Sequence, residues 1–376
     1  MKKGHLMPAP AKVGIVGAGI AGLSAGVLLA AAGAEVEILE RAAGPRLDGS
    51  GITLQGNALR ILRQLGCWDR IAAAGYAFNT VGIRAPDPDA TVLAVMDDVR
   101  TGGDDLPATV GMRRPELTAI LRDRLDAAGG QIRYGAEVTG VDPDTAAVTL
   151  ASGETLRYDV LIGADGINST VRRLLGIDIA PRATGVGAWR AVVPRPAEVV
   201  RTDLIYGGPQ HLAGYCPITA DSIYAYIVEE AQVRDNADGP RVFRELAAGY
   251  GGPWSEIAAS VGDDTPLHYT WFTTHLVDGP WHRGRVALIG DAIHNCPPTI
   301  AQGAAMALED AAVLTEELQT GPTPAEAFTR FRERRYARAK TVVDSSTELV
   351  RWMVDGHRGD VAALIQQVAH TVRVPA

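Results

Sequence analysis

One glycine pattern near the beginning of the chain limits the possible folds more than any other feature. It is a G-x-G-x-x-G sequence over residues 17–22, between a run typical of a buried parallel strand (residues 11–16) and an Ala- and Leu-rich helical run (residues 21–32). A second strand, residues 35–40, follows. Strand, helix and strand within about thirty residues form the unit in which this spacing predicts a dinucleotide pyrophosphate at the N-terminus of the helix.

Each glycine of the pattern has a physical role. Gly17 permits the tight turn, Gly19 lets the backbone approach a pyrophosphate, and Gly22 lets helix and sheet pack closely. Glu40 ends the second strand, where its carboxylate can accept hydrogen bonds from a ribose diol and would repel a 2'-phosphate. This argues against NADP as the resident ligand. By itself, the pattern also fits a helix that packs through glycines for structural reasons.

Two later acid-glycine motifs extend this interpretation. Gly163-Ala164-Asp165-Gly166 follows a buried strand, and Gly290-Asp291 ends another, shortly before Pro298 to Gly303 lead into a helix. The amides at the start of that helix could face the anionic edge of a flavin, and Asp291 would bind a ribityl hydroxyl. Strand, Asp cap and helix explain either motif locally. The joint presence of all three motifs predicts bound FAD.

With these motifs in this order, the chain resembles the single-component FAD-dependent aromatic hydroxylases, the family that includes para-hydroxybenzoate hydroxylase. The resemblance covers nearly the whole chain and also runs through Glu40-Arg41 and Arg114-Pro115-Glu116-Leu117. It implies that Arg114 lies near the pyrophosphate and that Val138 contacts adenine through its backbone. The predicted cofactor-binding residues are Gly17, Ala18, Gly19, Ala21, Gly22, Glu40, Arg41, Gly51, Arg114, Val138, Asp165, Asp291, Pro298, Ala301, Gln302 and Gly303.

The predicted fold is α/β with an α+β insertion. A Rossmann-like FAD-binding domain is split by a β-sheet substrate domain, and long helices follow at residues 303–318 and 323–347. Within the first domain, helical spacing predicts a helix over residues 54–65, and residues 131–138 and 147–150 are predicted as strands of a small antiparallel excursion. The resemblance implies no separate NAD domain. The predicted boundaries are 1–75, 110–182 and 275–376 for the FAD-binding domain, and 76–109 and 183–274 for the substrate domain.

The candidate catalytic residues are His211, Tyr215 and Thr53. Ala301-Gln302-Gly303 and the run from Gln210 to Tyr215 resemble the salicylate and 6-hydroxynicotinate hydroxylase subgroup. On a strand, His211 and Tyr215 point to one face, so both could line a pocket under the flavin, with Tyr215 as general base helped by His211. The alternative is a satisfied His at a strand start and a Tyr in the sheet face. Thr53 stands where hydroxynicotinate-type members carry His, so which group acts as base stays open.

Candidate substrate contacts are Arg190, Tyr226 and Pro298. Arg190 and Tyr226 lie on predicted strands of the inserted sheet, and a guanidinium facing the pocket would suit a carboxylate. The alternative is an Arg that reaches solvent from a strand edge.

The predicted activity is hydroxylation of a small, electron-rich aromatic or pyridine acid. NADH or NADPH visits briefly and reduces the flavin, O2 adds to form a flavin hydroperoxide, and the carboxylate could be lost in the same reaction. The alternatives are a monooxygenase that tailors a larger aromatic natural product and a flavin oxidoreductase without oxygen transfer. A non-enzymatic flavin-holding module is disfavoured, because inward His and Tyr offer no evident partner surface.

Composition excludes several other classes. The net charge of -8 and the lack of a basic block argue against nucleic acid. Cys67, Cys216 and Cys296 are widely spaced and suggest neither a disulfide framework nor a metal site, only buried free thiols. Residues 13–34 carry no charge and follow Lys2 and Lys3, but their glycine spacing favours the nucleotide fold over a signal or anchor. We therefore expect a cytoplasmic monomer or homodimer with no membrane partner.

Overall fold

A computed structural model describes residues 11–46, 49–357 and 359–376; Lys2, Lys3 and the first ten residues of the predicted FAD-binding domain lie outside these ranges. Within them, the strands are β1 (Lys12–Val16), β2 (Glu35–Glu40), β3 (Gly51–Gln55), β4 (Tyr76–Phe78), β5 (Thr80–Arg84), β6 (Val92–Asp97), β7 (Thr109–Arg113), β8 (Gln131–Tyr134), β9 (Val138–Asp142), β10 (Ala147–Leu150), β11 (Thr155–Arg157), β12 (Val160–Gly163), β13 (Arg182–Pro194), β14 (Thr202–Tyr206), β15 (Leu212–Pro217), β16 (Ser222–Glu230), β17 (Leu267–Leu276), β18 (His282–Arg283), β19 (Val286–Leu288) and β20 (His294–Asn295).

The α-helices of the same ranges are α1 (Ile20–Ala31), α2 (Gly56–Gln64), α3 (Trp68–Ala74), α4 (Arg114–Ala127), α5 (Thr170–Leu174), α6 (Gly239–Ala247), α7 (Pro253–Ser260), α8 (Gly303–Thr320), α9 (Pro324–Asp355) and α10 (Val361–Arg373). None of these helices is long and apolar enough to cross a membrane.

A six-stranded sheet carries the glycine turn. Its order is β18-β19-β12-β1-β2-β8, and all neighbouring pairs except β18 and β19 are parallel. Helix α1 packs against α4 and α8. A Cβ built on Gly26 of α1 would lie 3.0 Å from Leu125 Cδ1 and 3.1 Å from Ile38 Cδ1, so this helix approaches the sheet and α4 closely. The carboxyl ends of β1, β12 and β19 therefore meet at one edge, the usual ligand-binding side of such sheets.

A second, eight-stranded sheet has the order β20-β17-β13-β16-β15-β14-β5-β6. Helices α6 and α7 cover one of its faces, which we call the helix-covered face, and form a core there with Trp189, Tyr215, Trp254 and their neighbours. The opposite face, which we call the cleft face, packs against α9 and against the small sheet β3-β7-β4. Its side chains include Arg190, Leu212, Cys216, Tyr224, Tyr226 and Val228.

The predicted fold class is confirmed, and three local predictions are corrected. The helix predicted from Leu54 begins at Gly56, because Leu54 and Gln55 still pair with β7. Residues 131–138 are not one strand of an antiparallel excursion, because β8 joins the parallel sheet beside β2 and only β9 to β11 form the antiparallel sheet. The last helices extend beyond the predicted residue 347. The domain boundaries stay predictions.

Candidate active site

The first loop of the site is the turn between β1 and α1. Gly17 has φ +104°, and a Cβ there would lie 2.6 Å from the carbonyl oxygen of Ala164, so the turn requires glycine. The carboxylate of Glu40 accepts hydrogen bonds from the amides of Ala18 and Ala42, both at 2.9 Å. These bonds hold Glu40 beside the turn, where the sequence predicted an acceptor for a ribose.

The beginning of α1 combines open space with backbone amides that no described side chain caps. Gly19 is exposed, and no described heavy atom beyond its neighbours lies within 4 Å of a Cβ built there. A Cβ on Gly22 would lie only 2.0 Å from the carbonyl oxygen of Gly17. No described side chain caps α1, and its first turn has no acidic residue. The amides of this turn can therefore receive an anion such as a pyrophosphate.

Asp165 of the second motif has a capping arrangement. Its carboxylate accepts bonds from the hydroxyl of Ser169 (2.5 Å) and from the amides of Thr170 (2.7 Å) and Val171 (3.0 Å). These contacts match the local alternative of a turn with an Asp cap, and binding of cofactor by Asp165 stays a prediction. The buried Arg172 donates to the carbonyl of Ala292 at 2.8 Å, so α5 is tied to the third motif.

The third motif lies in residues 290–295, which we call the Asp291 loop. Gly290 has φ +64°, and a Cβ there would lie 3.1 Å from Ala21 Cβ, which brings this loop against the first one. Asp291 is half-buried and makes no side-chain hydrogen bond to a described residue. Burial raises the pKa of Asp291, and the charges of His294 and Arg114 counteract that rise. Asp291 thus offers a carboxylate acceptor to a ligand.

The fourth segment, residues 298–303, is called the Gln302 loop. A 3-10 turn over Pro298–Ile300 ends at Ala301, which adopts the left-handed conformation (φ 52°, ψ 34°). The N-terminus of α8 follows without a side-chain cap from the described residues and without an acidic residue in its first turn. A second set of unsatisfied amides therefore lies close to the Asp291 loop. Pro298 is exposed, whereas Gln302 is buried.

The other predicted cofactor residues surround these loops. Arg41 and Arg114 are exposed, and Arg114 lies near enough to Asp291 to affect its pKa. Val138 begins β9, two residues after Ala136, whose amide donates to the carbonyl of Glu40 at 2.9 Å. Gly51 packs against the inserted sheet, because a Cβ there would lie 2.4 Å from Tyr224 Cβ. Their roles toward the cofactor stay predictions.

The cleft face brings several polar side chains together. Tyr224 and Tyr226 have ring centroids 5.3 Å apart, and the Thr53 hydroxyl donates to Cys216 Sγ at 3.7 Å. The Arg190 guanidinium donates to Thr270 and lies over the Phe272 ring. Burial raises the pKa of Tyr224 and Tyr226, although both keep some exposed surface. Both phenols are therefore protonated and partly exposed.

Tyr215 does not belong to this group, which corrects its expected orientation under the flavin. It is fully buried on the helix-covered face, 6.1 Å from the ring centroid of Trp254. Its hydroxyl donates to Asp203 at 3.0 Å, and that carboxylate also accepts bonds from Arg84 (2.6 Å) and Arg201 (2.8 Å). By strand alternation, His211 lies on the same side as Tyr215. Strand β15 turns Leu212, Gly214 and Cys216 toward the cleft instead.

Sequence reasoning missed Tyr224 and Cys216 of the cleft. The alternation of Ile223, Ala225 and Ile227 with Tyr224 and Tyr226 was the available signal for β16. The burial of the charged residues Glu309 and Asp310 of α8 and Arg335 of α9 was not predicted either. A helix as rich in Arg as α9 is expected to be exposed to solvent. Of the three cysteines, Cys67 and Cys216 are buried and Cys296 is partly exposed; all are free thiols.

Four segments from distant parts of the chain meet at one sheet edge. Among the described residues, the amides at the starts of α1 and α8 have no side-chain cap, and the Asp291 carboxylate lies close to both. This arrangement fits a flavin dinucleotide and defines a flavoprotein of the aromatic hydroxylase fold. The chain belongs to the FAD binding domain family, and residues 10–346 match the sequence pattern of that family.

Similar proteins agree with this family. The chain is 32% identical over 353 residues to the putative FAD-dependent monooxygenase YetM of Bacillus subtilis, covering 92% of this chain and 94% of that protein. It is 32% identical to the 2-heptyl-3-hydroxy-4(1H)-quinolone synthase of Pseudomonas aeruginosa, with 87% and 86% covered. It is 31% identical to the 6-hydroxynicotinate 3-monooxygenase of Bordetella bronchiseptica, with 88% and 89% covered. The predicted resemblance to FAD-dependent aromatic monooxygenases is confirmed.

Solved structures give the same result. A 2-methyl-3-hydroxypyridine-5-carboxylic acid oxygenase matches with a TM-score of 0.83 and 25% identity, covering 96% of each chain. HpxO of Klebsiella pneumoniae, whose structure holds FAD and uric acid, matches with a TM-score of 0.82 and 22% identity over 99% of this chain and 95% of its own. At that identity the second match supports the fold alone.

Proposed function

We propose that the protein hydroxylates a small, electron-rich aromatic or pyridine acid with bound FAD, NADH or NADPH, and O2. The observation that carries the proposal is the cleft face, where Arg190, Tyr224 and Tyr226 lie on the side of the sheet that packs against β3, the strand of the predicted cofactor residue Gly51. A cation and two phenols suit a ring that bears a carboxylate and a hydroxyl. The reaction with O2, the use of NAD(P)H, and work in the cytoplasm as a monomer or homodimer belong to the same proposal.

The cofactor residues on this chain have distinct tasks. The amides of the Gly17 turn would hold the pyrophosphate, Glu40 a ribose, and Asp291 a hydroxyl of the ribityl chain. The uncapped N-terminus of α8 would provide a positive dipole beside the flavin ring. When bound, FAD accepts a hydride from NAD(P)H and supplies the means of transferring an oxygen atom from O2.

The cleft residues would prepare the substrate. Hydrogen bonds from Tyr224 and Tyr226 to a ring oxygen favour its ionised form, and an ionised oxygen makes the ring electron-rich. Because their pKa values are raised by burial, the two phenols act as donors and not as bases at neutral pH. Arg190 would orient a carboxylate, and Thr53 with Cys216 would close the cleft behind the ring. Whether the carboxylate is lost follows from where the oxygen is added.

A larger aromatic natural product is the second candidate substrate. The cleft face also carries apolar side chains, Leu204, Tyr206, Leu212 and Phe272, next to Met353 of α9, and this group would suit a ring with an alkyl chain. Two of the relatives are named for compounds other than simple aromatic acids: the 2-heptyl-3-hydroxy-4(1H)-quinolone synthase and an aurachin C monooxygenase/isomerase of Stigmatella aurantiaca, which is 31% identical.

The test is a substrate panel with the purified holoenzyme. Hydroxybenzoates, aminohydroxybenzoates, hydroxypyridine carboxylates and alkyl quinolones are each added with NADH or NADPH, and the consumption of nucleotide and of O2 is followed together with product mass. An acid that stimulates both and gains one oxygen atom supports the first candidate; a response to the quinolones alone supports the second. Stimulated NAD(P)H oxidation without oxygen uptake or a product heavier by oxygen contradicts the monooxygenase proposal.

A further inference from the structure

A single buried guanidinium lies behind the two later cofactor loops. Arg335 of α9 has no exposed surface and divides its hydrogen bonds between two adjacent carboxylates of α8. Its Nε donates to Asp310 Oδ1 at 2.8 Å and its Nη1 to Glu309 Oε2 at 2.6 Å. Its Nη2 donates to the carbonyl of Met306 at 3.2 Å. This arrangement leaves one oxygen of each carboxylate for other partners.

The second oxygen of Asp310 holds the Asp291 loop. The amide of Gly290 donates to Asp310 Oδ2 at 2.9 Å, and His294 Nε2 lies 2.5 Å from the same oxygen. Burial disfavours the charged forms of both His294 and Asp310, but the attraction between the two charges outweighs this effect. The pKa of His294 is therefore raised and the pKa of Asp310 is lowered. One carboxylate oxygen is therefore bonded on both sides of Asp291, at the residue before it and three residues after it.

The second oxygen of Glu309 holds the Gln302 loop through Asn57. The Asn57 amide donates to Glu309 Oε1 at 3.2 Å and to Gln302 Oε1 at 3.0 Å, and Gln302 donates in return to Asn57 Oδ1 at 3.3 Å. Asn57 and Glu309 have no exposed surface, and Gln302 is almost completely buried. Arg338 adds a bond to Glu309 Oε1 at 3.0 Å.

A buried ion network of this kind is a weak source of stability, because removing charges from water costs about as much as their attraction returns. Its value lies in geometry, since a planar fork fixes the directions of both acceptors and a single ammonium does not. We propose that Arg335 is a positioning residue for FAD, which aligns the Asp291 loop and the Gln302 loop relative to each other through Asp310 and Glu309. Arg335 itself lies behind the loops and acts through them.

The chain contains a matched control. Arg334, the preceding residue on α9, also divides its guanidinium between adjacent carboxylates of α8, with Glu317 at 2.7 Å and Glu316 at 3.0 Å. Neither of those glutamates bonds to a cofactor loop among the described residues. Arg335→Lys and Arg334→Lys therefore each replace one fork with one ammonium between the same two helices, and only the first disturbs the loops.

The experiment measures FAD binding to the apoprotein by quenching of flavin fluorescence, and the thermal midpoint of the apoprotein. We expect Arg335→Lys to raise the Kd for FAD by about tenfold or more, the effect of losing one well-placed contact network, and Arg334→Lys to change it by less than about twofold. A Kd in Arg335→Lys equal to that of Arg334→Lys overturns the proposal, as does a fall in the apoprotein midpoint with unchanged Kd, since that marks a purely structural role.

A second set of variants covers failure of Arg335→Lys to fold. Asp310→Asn and Glu309→Gln keep the shape of each carboxylate and weaken its bond to Arg335. If the loops are aligned through this network, each variant raises the Kd for FAD, and combining Asn57→Ser with His294→Asn changes the Kd by less than the product of the single changes, because the two loops are coupled. Independent, multiplicative effects overturn the proposal, because they show that the loops are held separately.

Discussion

The hydroxyl groups of Tyr215 and Tyr226 provide a paired test of which face of the inserted sheet is the reactive one. Tyr215→Phe removes a donor to the buried carboxylate of Asp203, which keeps its bonds from Arg84 and Arg201. A hydrogen bond to a charged acceptor contributes about 1.5–3 kcal/mol, and two remaining donors place this loss near the lower end, at about 2 kcal/mol. Tyr215 has no exposed surface and is enclosed by the core that α6 and α7 form on this face, so turnover should be unchanged.

Tyr226→Phe should show the opposite pattern. Its side chain lies on the cleft face, and its removal deletes the proposed donor to the substrate oxygen, so hydroxylation should slow by about tenfold or more. The free energy of unfolding should change by less than about 0.5 kcal/mol, because the side chain keeps its packing.

Both variants are examined by urea unfolding of the holoprotein and by stopped-flow measurement of flavin reduction and product formation. Flavin reduction by NAD(P)H in the absence of substrate serves as the control and should be equal in all three proteins. The reasoning is refuted if Tyr215→Phe slows hydroxylation while its unfolding free energy stays at the wild-type value. That result would place the general base on the helix-covered face.

Three further predictions concern the cofactor loops and their surroundings. Asp291→Ala should purify with little flavin and show a Kd for FAD raised by about tenfold or more by fluorescence titration; full occupancy would exclude its role. Ala301→Gly should raise the unfolding free energy by about 1 kcal/mol in urea, because it relieves a left-handed alanine; an unchanged midpoint would show no strain. Burial, with help from Arg172, lowers the pKa of His275 to about 4 from 6.5, so the unfolded chain binds the proton first as the pH falls. Between pH 6.5 and 4, the free energy of unfolding of the wild-type protein should fall by about 3 kcal/mol, and this fall should be missing in His275→Gln. The control variant His268→Gln, at an exposed position of the same strand, should behave like wild type.

The cofactor half of the molecule was largely predictable from its sequence because its signals are local. Gly17 and Gly22 stand where a side chain would collide with a backbone carbonyl oxygen. A few consecutive residues define the turn that creates this collision. Strand, turn and helix then follow one another within the same short segment. The edge at which three such segments meet follows from the general rule for parallel sheets.

The substrate side was less predictable because strand alternation gives two faces without saying which one meets the cofactor. All six residues of β15 are buried, so no polar side marks its outward face. The four-residue spacing of His211 and Tyr215 predicts a shared face, but Tyr215 lies on the face that α6 and α7, which follow later in the chain, cover. Strand β16 had a clearer signal in its alternating Ile, Ala and Tyr residues.

The order of strands in the six-stranded sheet also has a consequence for biosynthesis. Strand β12 pairs in register with β19, Leu161 beside Val286, although more than a hundred residues of the other sheet separate them. Such distant pairing is slow to form, since the intervening chain must be closed into a loop first. A nascent chain that stops before β19 lacks that pairing and the Asp291 loop, so ribosome-bound intermediates should acquire the yellow colour of flavin only late in translation.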